Sequence, residues 1–517
     1  MNLSLRALSL ALLAATCVAG CDEGSSSPGT CEDDSACRGG NICAFSFCVD
    51  PEALGTVDLE VEPPGPSNLP IQTLLEVDTS SGGRIDMALK PAVNVSGTVV
   101  DENDDALAAT IFAVPTVGIP GRRRQRSTTT TTGDFSVALV RDQTYRFSAL
   151  PDAVTLPPAF AADDVIAGTG GRTVLQVQEV KQVRGRIISR VGDGVEITEL
   201  ANCDVFIVDD NNRQLSSIAT TGLDGTFTLA VGAVTGQAQL VVRPNNQYPS
   251  LTIPVDLGED DVVDLGDRSL GNNLFTAEIS GRVVNADGSA AARAVVVARG
   301  DVGAGVVNVR QLADDNGNFA IKVVQGNYAV GAVGESTDPR GGIALTAVDV
   351  GVATVGGLVI ALPARVRASL TVVSASGEPV AGASVVMTRV GADDTGITEP
   401  VLTDAQPTFL ASTNERGEVD VDVDPGSYRI GIEPPRGQGT PAFSALITIR
   451  SNLRREIVLS TSKILAGTLL NGDDVVGGAF VRIYSRIVDE RGQAILLGEA
   501  LSAPDGSFAV SVPDFQF

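Results

Sequence analysis

Residues 279–333 read ISGRVVNADGSAAARAVVVARGDVGAGVVNVRQLADDNGNFAIKVVQGNYAVGAV, and their alternation decides the fold. Ile279, Gly281 and Val283 alternate with polar positions before a D-G turn. A second run sets Ala294, Val296 and Ala298 on one face, and N-G then opens Phe319, Ile321 and Val323. Alternation at period two between Gly-bearing turns marks half-buried antiparallel strands. The stretch is therefore a β-module, and most of the chain is a looser copy of it.

Self-similarity at a fixed period is the test of that reading. The opening strand recurs around Gly97, Gly185, Gly281, Leu370 and Gly467, spaced 88, 96, 89 and 97 residues apart. A period near 90 residues is one small sandwich per unit. The second strand supplies an inward set: Ala109/Ile111/Ala113, Cys203/Val205/Ile207, Ala294/Val296/Ala298, Ala383/Val385/Met387 and Ala479/Val481/Ile483. Its first member is small each time, as close approach of two sheets requires. The third motif pairs a turn glycine with a core plug: Gly133/Phe135, Gly225/Phe227, Gly317/Phe319, Gly417/Val419 and Gly506/Phe508. The residues before it are turn formers that leave glycine where φ is positive.

Tyr145, Tyr328 and Tyr428 fall at one equivalent place, which predicts a buried ring whose hydroxyl returns to the backbone, as in the tyrosine corner of sandwiches. Ile343 to Leu362 is apolar enough to raise a membrane span, with Asp349 its one charge. The matching segments of sister repeats carry several charges and its Val and Gly suit strands, so a span is rejected.

The two ends of the array are unequal. Val57-Asp-Leu-Glu-Val-Glu-Pro63-Pro64 matches Tyr428-Arg-Ile-Gly-Ile-Glu-Pro434-Pro435, so residues 56–90 read as a second half-module without its first. Residues 464–517 read as a first half without its second. The leading half would complete the trailing half, closing the array or joining chains head to tail. A worn edge module and a shortened gene are the plainer explanations.

The N-terminus carries Arg6, an apolar run from Ala7 to Ala15, and Val18-Ala19-Gly20-Cys21. A short charged start, a short apolar region and small residues before a cleavage point describe a secretory signal. The V-A-G-C ending resembles the lipobox of bacterial lipoproteins, which implies diacylation of the Cys21 thiol and cleavage just before it. Several acyl chains on one residue hold where a single chain would not. Asp22 resembles an inner-membrane retention signal of enteric bacteria, a rule that varies between groups. A flexible DEGSSSPGT tether leads to Cys31, Cys37, Cys43 and Cys48, spaced C-x5-C-x5-C-x4-C. In an exported chain these predict two disulfides, with three pairings open, over a zinc knuckle, which would want closer pairs and a reducing compartment. Cys17 leaves with the leader, and Cys203 sits where sister repeats place alanine, as a buried inert thiol.

Composition removes several function classes. The 517 residues carry a net charge of −26, and Arg6 is the leader's one charge, so the mature chain is one unit more negative. Such a chain lacks the clustered basic face of a nucleic-acid binder and would not dock on anionic lipid by charge. There is no histidine, hence neither the commonest general base nor the commonest zinc ligand, and no tryptophan.

Asp pairs recur in turns at 104/105, 163/164, 209/210, 260/261, 314/315, 393/394 and 473/474. They read as solvated turns, with calcium ligation at module junctions as the functional alternative. Carboxylates lying side by side in turns do not make a glycosidase pair. Lys181 and Lys463 sit four residues before the motif glycine, but no matching asparagine recurs for a Lys-Asn crosslink. Arg122-Arg123-Arg124-Gln125-Arg126 reads as a solvated loop or a processing site.

The triple set of motifs, repeated in order five times over roughly residues 56 to 517, resembles the carboxypeptidase regulatory-like domain, a seven-stranded transthyretin-like sandwich. The cysteine run resembles small modules found after the anchor of myxobacterial lipoproteins. The resemblance implies an all-β fold of tandem seven-stranded antiparallel sandwiches behind a disulfide-stapled segment, and it implies no catalytic site. The expected division is a leader over 1–20, tether and stub over 21–55, a partial module over 56–91, sandwiches over 92–180, 181–275, 276–363 and 364–461, and a partial sandwich over 462–517. The expected role is a non-catalytic, lipid-anchored protein of the outer membrane or cell surface, a stalk or adhesive scaffold binding an envelope protein or glycan. It would use no cofactor or metal and bind no nucleic acid. An accessory subunit that positions a separate envelope enzyme or secretion complex is the alternative. Five modules in an open row would reach about 150 Å by compact-domain scaling.

Overall fold

The computed structural model describes residues 31, 36–37, 41–67, 69–79, 84–122, 126–161, 163–177, 181–191, 196–209, 213–232, 234, 236–244, 250–269, 277–301, 306–335, 337–351, 354–390 and 408–514. The chain divides into two compact units, 1–51 and 52–517.

The first unit contains a hairpin, Ile42–Ala44 against Phe47–Val49, in which Cys43 faces Cys48. Its two turn residues, Phe45 and Ser46, both have positive φ, 56° and 67°, the geometry that matches the twist of a two-residue hairpin. Disulfides join Cys31 to Cys43 and Cys37 to Cys48, with Cα separations of 5.8 and 5.3 Å. So short a segment cannot bury enough apolar surface to hold itself, and the two staples take that role.

The second unit is a set of sandwiches on one seven-stranded plan, a three-stranded sheet facing a four-stranded one, to which the first, second and closing sandwiches each add a short strand, Val165–Ile166, Glu196–Glu199 and Asp474–Val475. In the third sandwich Ala277–Val284 lies between Asn318–Val323, antiparallel, and Val355–Ala361, parallel. Opposite it Val306–Leu312, Val295–Asp301, Gly326–Val333 and Ile343–Val350 pair in that order, all antiparallel. The same arrangement surrounds Ala92–Val100, Lys181–Val191 and Val366–Val373. The chain is all-β, with helix among the described residues limited to single turns such as Pro51–Leu54. The antiparallel expectation needs one amendment. The last strand crosses from the four-stranded sheet to the free side of the first strand and runs parallel to it. The segment read as a possible span is thus two strands, Ile343–Val350 at the edge of the four-stranded sheet and Val355–Ala361 in the three-stranded one, and no helix among the described residues is long and apolar enough to cross a membrane.

The repeated motifs line the cores. All fifteen members of the second-strand set are at most 2% exposed, Cys203 included. Phe135, Phe227, Phe319, Val419 and Phe508 are buried, each two residues after a glycine with φ between 72° and 81°. A Cβ on Gly317 would stand 2.3 Å from the Val283 carbonyl oxygen, so space as well as backbone conformation demands glycine there. The hydroxyls of Tyr328 and Tyr428 donate to the Val324 and Asp424 carbonyls at 2.9 and 2.6 Å. Tyr145 differs in detail: its hydroxyl accepts from the Val140 amide and donates to Gln143.

Neighbouring sandwiches are joined in different ways. The second and third share one eight-stranded sheet, through Leu251↔Val307 and Thr252↔Val306. Between the third and fourth, Arg365 is buried; its guanidinium donates to Glu335 O at 2.6 Å and Asp338 O at 2.8 Å and pairs with Asp424 at 3.2 Å. The first and second meet through Ile218 N to Val154 O, 2.7 Å, and through Arg213 over the Phe160 ring.

Candidate functional site

The part of the molecule that differs in kind from the repeats is the sandwich where the array meets itself. Ser462–Asn471, Phe480–Val488, Ala494–Leu501 and Ser507–Pro513 supply four of its strands. The other three come from the opposite side of the sequence, Thr56–Glu62, Gln72–Asp78 and Met87–Ala88. Thr56–Glu62 is an interior strand. It pairs with Phe480–Val488, from Val57↔Ser485 to Glu62↔Phe480, and with Gln72–Asp78 on its other side. Met87–Ala88 runs parallel to Leu469–Leu470, the place that Val355–Ala361 takes beside Ala277–Val284 in the third sandwich. The half-modules read from the sequence therefore complete each other within one chain.

The substitution is faithful in detail. Val57, Leu59 and Val61 are at most 2% exposed and occupy the positions that Tyr428, Ile430 and Ile432 fill in the fourth sandwich. Leu89 N donates to Leu470 O as Leu362 N does to Val284 O and Leu459 N to Val373 O. Lys463 Nζ donates to the Thr79 carbonyl, as Lys181 Nζ does to Leu257 and Gly258. The shared place of the two lysines thus serves to hold a turn carbonyl. A Cβ on Gly467 would lie 1.8 Å from Ile85 O, the counterpart of 2.0 Å between Gly281 and Leu358 O. The glycine of the opening strand is needed where the parallel strand presses against it.

The outer face of this sandwich carries a charged network. Glu60 is fully buried and accepts from Arg482 at 3.1 Å and from Arg122 of the first sandwich at 3.2 Å. Arg482 also binds Glu62 at 2.7 Å and Glu499 at 2.8 Å, and Glu499 receives Arg436 of the fourth sandwich. Burial works against the Arg482 charge, but its bonds to Glu62 and Glu499 more than offset this and raise its pKa. Arg122 lies over the Tyr484 ring, and Arg436 and Arg482 over Phe480. Arg429 pairs with Glu490, and Ala494 N donates to Pro120 O at 3.1 Å. The first and fourth sandwiches therefore both dock on the closing one.

Two sequence expectations change here. Arg122 is not a residue of a purely solvated loop, because the network recruits it; Arg123, Arg124 and Gln125 lie outside the described residues. The 150 Å reach belongs to an open row, whereas here the module order is cyclic. No signal in a lone arginine or glutamate could have announced the network, since its members come from four separate stretches, 60–62, 122, 429–436 and 480–499.

The remaining candidates sort as follows. Cys21, Asp210, Asp393 and Asp394 lie outside the described residues. The first residues of several turns act as local caps: Asp314 accepts from the amides of Asn316 and Asn318 at 2.9 and 2.7 Å, and Asp101 from those of Asn103 and Asp105. Among the described residues the converging set of metal-type ligands is Cys31, Cys37 and Cys48, and both disulfides draw on it. Burial pushes the Cys203 thiol up, as suits an unreactive core position. A cleft of about 640 Å³ lies between the first and second sandwiches, lined by Phe112, Val114, Leu150, Phe160, Arg146 and Arg213.

No protein-family model matches the chain, and no curated protein matches it. Among solved structures it is similar to a streptococcal ancillary pilin, at 10% identity over 53% of this chain and 99% of that one, with a TM-score of 0.19. It is similar also to the TIE protein of Bacillus anthracis, at 14% identity over 71% and 74% with a TM-score of 0.16. The major pilin subunit of Bacillus cereus gives 13% identity over 71% and 99% with a TM-score of 0.15. Superpositions at these scores carry no argument about what the chain binds or how it assembles.

Proposed function

We propose that this chain is a non-catalytic, lipid-anchored scaffold of the cell envelope that works by binding, through the turns and junctions of a cyclic array of carboxypeptidase regulatory-like sandwiches. The observation that carries the proposal is the closing sandwich. The first strand after the stapled stub in sequence, Thr56–Glu62, is an interior strand held on both edges. A tether at Cys21 would thus lead to the point where the array is joined, and load on it would be shared by strands from both ends of the array. Side-chain chemistry supports binding over turnover. The sequence has no histidine, and the carboxylates of Glu60, Glu62 and Glu499 are each bonded to arginine.

The test has two arms in living cells. Cys21→Ser should move the protein from the membrane fraction to the soluble exported fraction; an unchanged membrane fraction refutes the anchor. Crosslinking of the anchored protein should recover glycans or surface proteins of neighbouring cells if it is adhesive. One stoichiometric envelope complex would instead establish the accessory-subunit reading, and measured turnover by the purified chain would overturn both.

A further inference from the structure

We infer that the closing sandwich also forms between copies, strands 56–88 of one chain completing residues 462–513 of a second, so that copies link head to tail. The inference rests on the scaffold reading and names a partner for it, a second copy of this chain.

Three observations carry it. First, the donated segment has no sandwich of its own. It contributes Val57, Leu59, Val61, Ile85 and Met87 to a core whose other four strands lie more than 370 residues downstream. Whenever the closure opens, one chain therefore presents two complementary surfaces, a three-strand donor and a four-strand acceptor.

Second, exchange would keep the contacts of the closure. The pairs Val57↔Ser485 to Glu62↔Phe480 and Met87↔Leu469 are the same whether the strands belong to one chain or two. Arg122 and Glu60 travel together with the donor, while Arg429 and Glu490, and Arg436 and Glu499, stay together on the acceptor. The balance between closed and linked forms is then set by concentration and by the connections, which is the condition under which swapping is inexpensive.

Third, the connections place the flexing point. Only Leu89, Lys90 and Pro91 separate Met87–Ala88 from the first sandwich, and Lys90 is fixed by Gln72 through bonds of 2.8 and 2.6 Å. The donor thus moves with the first sandwich. Local geometry repeated without change would return the donor to its own acceptor, so one junction must open. The eight-stranded sheet holds the second and third sandwiches and buried Arg365 holds the third and fourth. Among the described residues the junction of the first and second is held by the Ile218 to Val154 bond, the Arg213–Phe160 contact beside the cleft and the packing of Phe160 on the core of the second sandwich, with no strand pairing across it, and that is where it opens.

The test uses two full-length chains produced together at the membrane, one carrying Val57→Cys and the other Ser485→Cys, positions that face each other across the strand pair. The expected result is a covalent dimer linked between positions 57 and 485, assigned by peptide mass mapping and lost when either variant is produced alone. A single chain carrying both substitutions should form the internal link. Internal linkage without any interchain product overturns the inference, and absence of the link in both formats overturns the closure itself. Should these core positions impair folding, Ala88→Cys with Leu470→Cys asks the same question at a more exposed pair. Membrane fractionation of the same cells reads the scaffold proposal separately, so either can fail without the other.

Discussion

The third sandwich and the closing sandwich have the same seven strands in the same order, yet one is continuous over 277–361 and the other is assembled from segments at opposite sides of the sequence. In the third, Gly326 follows the strand Asn318–Val323 after two residues. In the closing sandwich Ser507–Pro513 takes the place of Asn318–Val323, and the counterpart of Gly326–Val333 is Thr56–Glu62, from the other side of the sequence. The difference teaches that face alternation and turn chemistry specify each strand's place, whereas chain connectivity specifies only how soon the strand arrives. Pairings of such long sequence separation are costly to close and slow to form, so the closing sandwich should fold last and open first.

The largest effect that would break the comparison is expected from Leu59→Ala. A fully buried leucine cut to alanine costs about 2–5 kcal/mol. The loss should be confined to the closing sandwich and raise hydrogen exchange in 56–62 and 480–488 together. Val330→Ala is the matched change in the third sandwich and should leave those segments protected. Were Leu59→Ala to leave exchange at 480–488 unchanged, the two segments would not form one cooperative unit.

Gly467→Ala and Gly281→Ala make a second, smaller pair. Each adds a methyl within about 2 Å of a backbone oxygen of the parallel strand, and relieving such overlap costs about 1–3 kcal/mol. In the third sandwich the displaced strand remains tethered nearby. In the closing one, displacement frees 84–88, so trypsin should cut after Arg84 in Gly467→Ala alone. Equal resistance of both variants would show that continuity gives the third sandwich no advantage.

A smaller effect sharpens the contrast at the tyrosine position, which the closing sandwich fills with Val57. Tyr328→Phe leaves the Val324 carbonyl without its hydroxyl partner in a buried site, at a cost of about 1 kcal/mol seen by calorimetry or exchange of 324–330. Burial also raises the Tyr328 phenol pKa, so alkaline titration should find it silent where exposed tyrosines ionise. A Tyr328 signal in the ordinary range would refute the buried corner.

How far the sequence could be read follows from the same physics. The inward alanines and valines, the turn glycines and the tyrosine corners are local in origin, so alternation and φ requirements disclosed them. The cysteine spacing disclosed a staple but left its pairing open, because three connectivities satisfy one spacing. The match of Val57 to Tyr428 disclosed the complementary halves. Whether they meet depends on the junctions of four intervening sandwiches, and no short stretch encodes that. Arg122, Arg365 and Glu60 were illegible for a related reason. A buried charge is tolerated only where its partner arrives from another module, and single-chain patterning does not show the arrival.

Acid offers the smallest test, and its sign is fixed by the direction of each shift. Asp314 is held below its ordinary pKa by bonds from the backbone and side chain of Asn318, Asp287 by the hydroxyl and amide of Ser289, and Asp505 by those of Ser507. A lowered carboxylate contributes stability above its unfolded pKa and loses it as pH falls through the folded one. Asp424 runs the other way: burial raises its pKa against the pull of Arg365, so its contribution is present below the unfolded pKa and is lost as pH rises through the folded value. Asp287 and Asp314 hold two turns of the third sandwich; in the closing one the lowered carboxylates are Asp505, which holds a turn, and Asp86, bonded by Arg84. Below about pH 4, near the ordinary aspartate pKa, turns 285–289, 314–318 and 503–507 should therefore all lose exchange protection, after correction for the intrinsic rate. Asp424→Asn should remove the opposing slope at the junction of the third and fourth sandwiches. If these turns kept their protection in acid, the caps would be decorations of turns that glycine alone already secures.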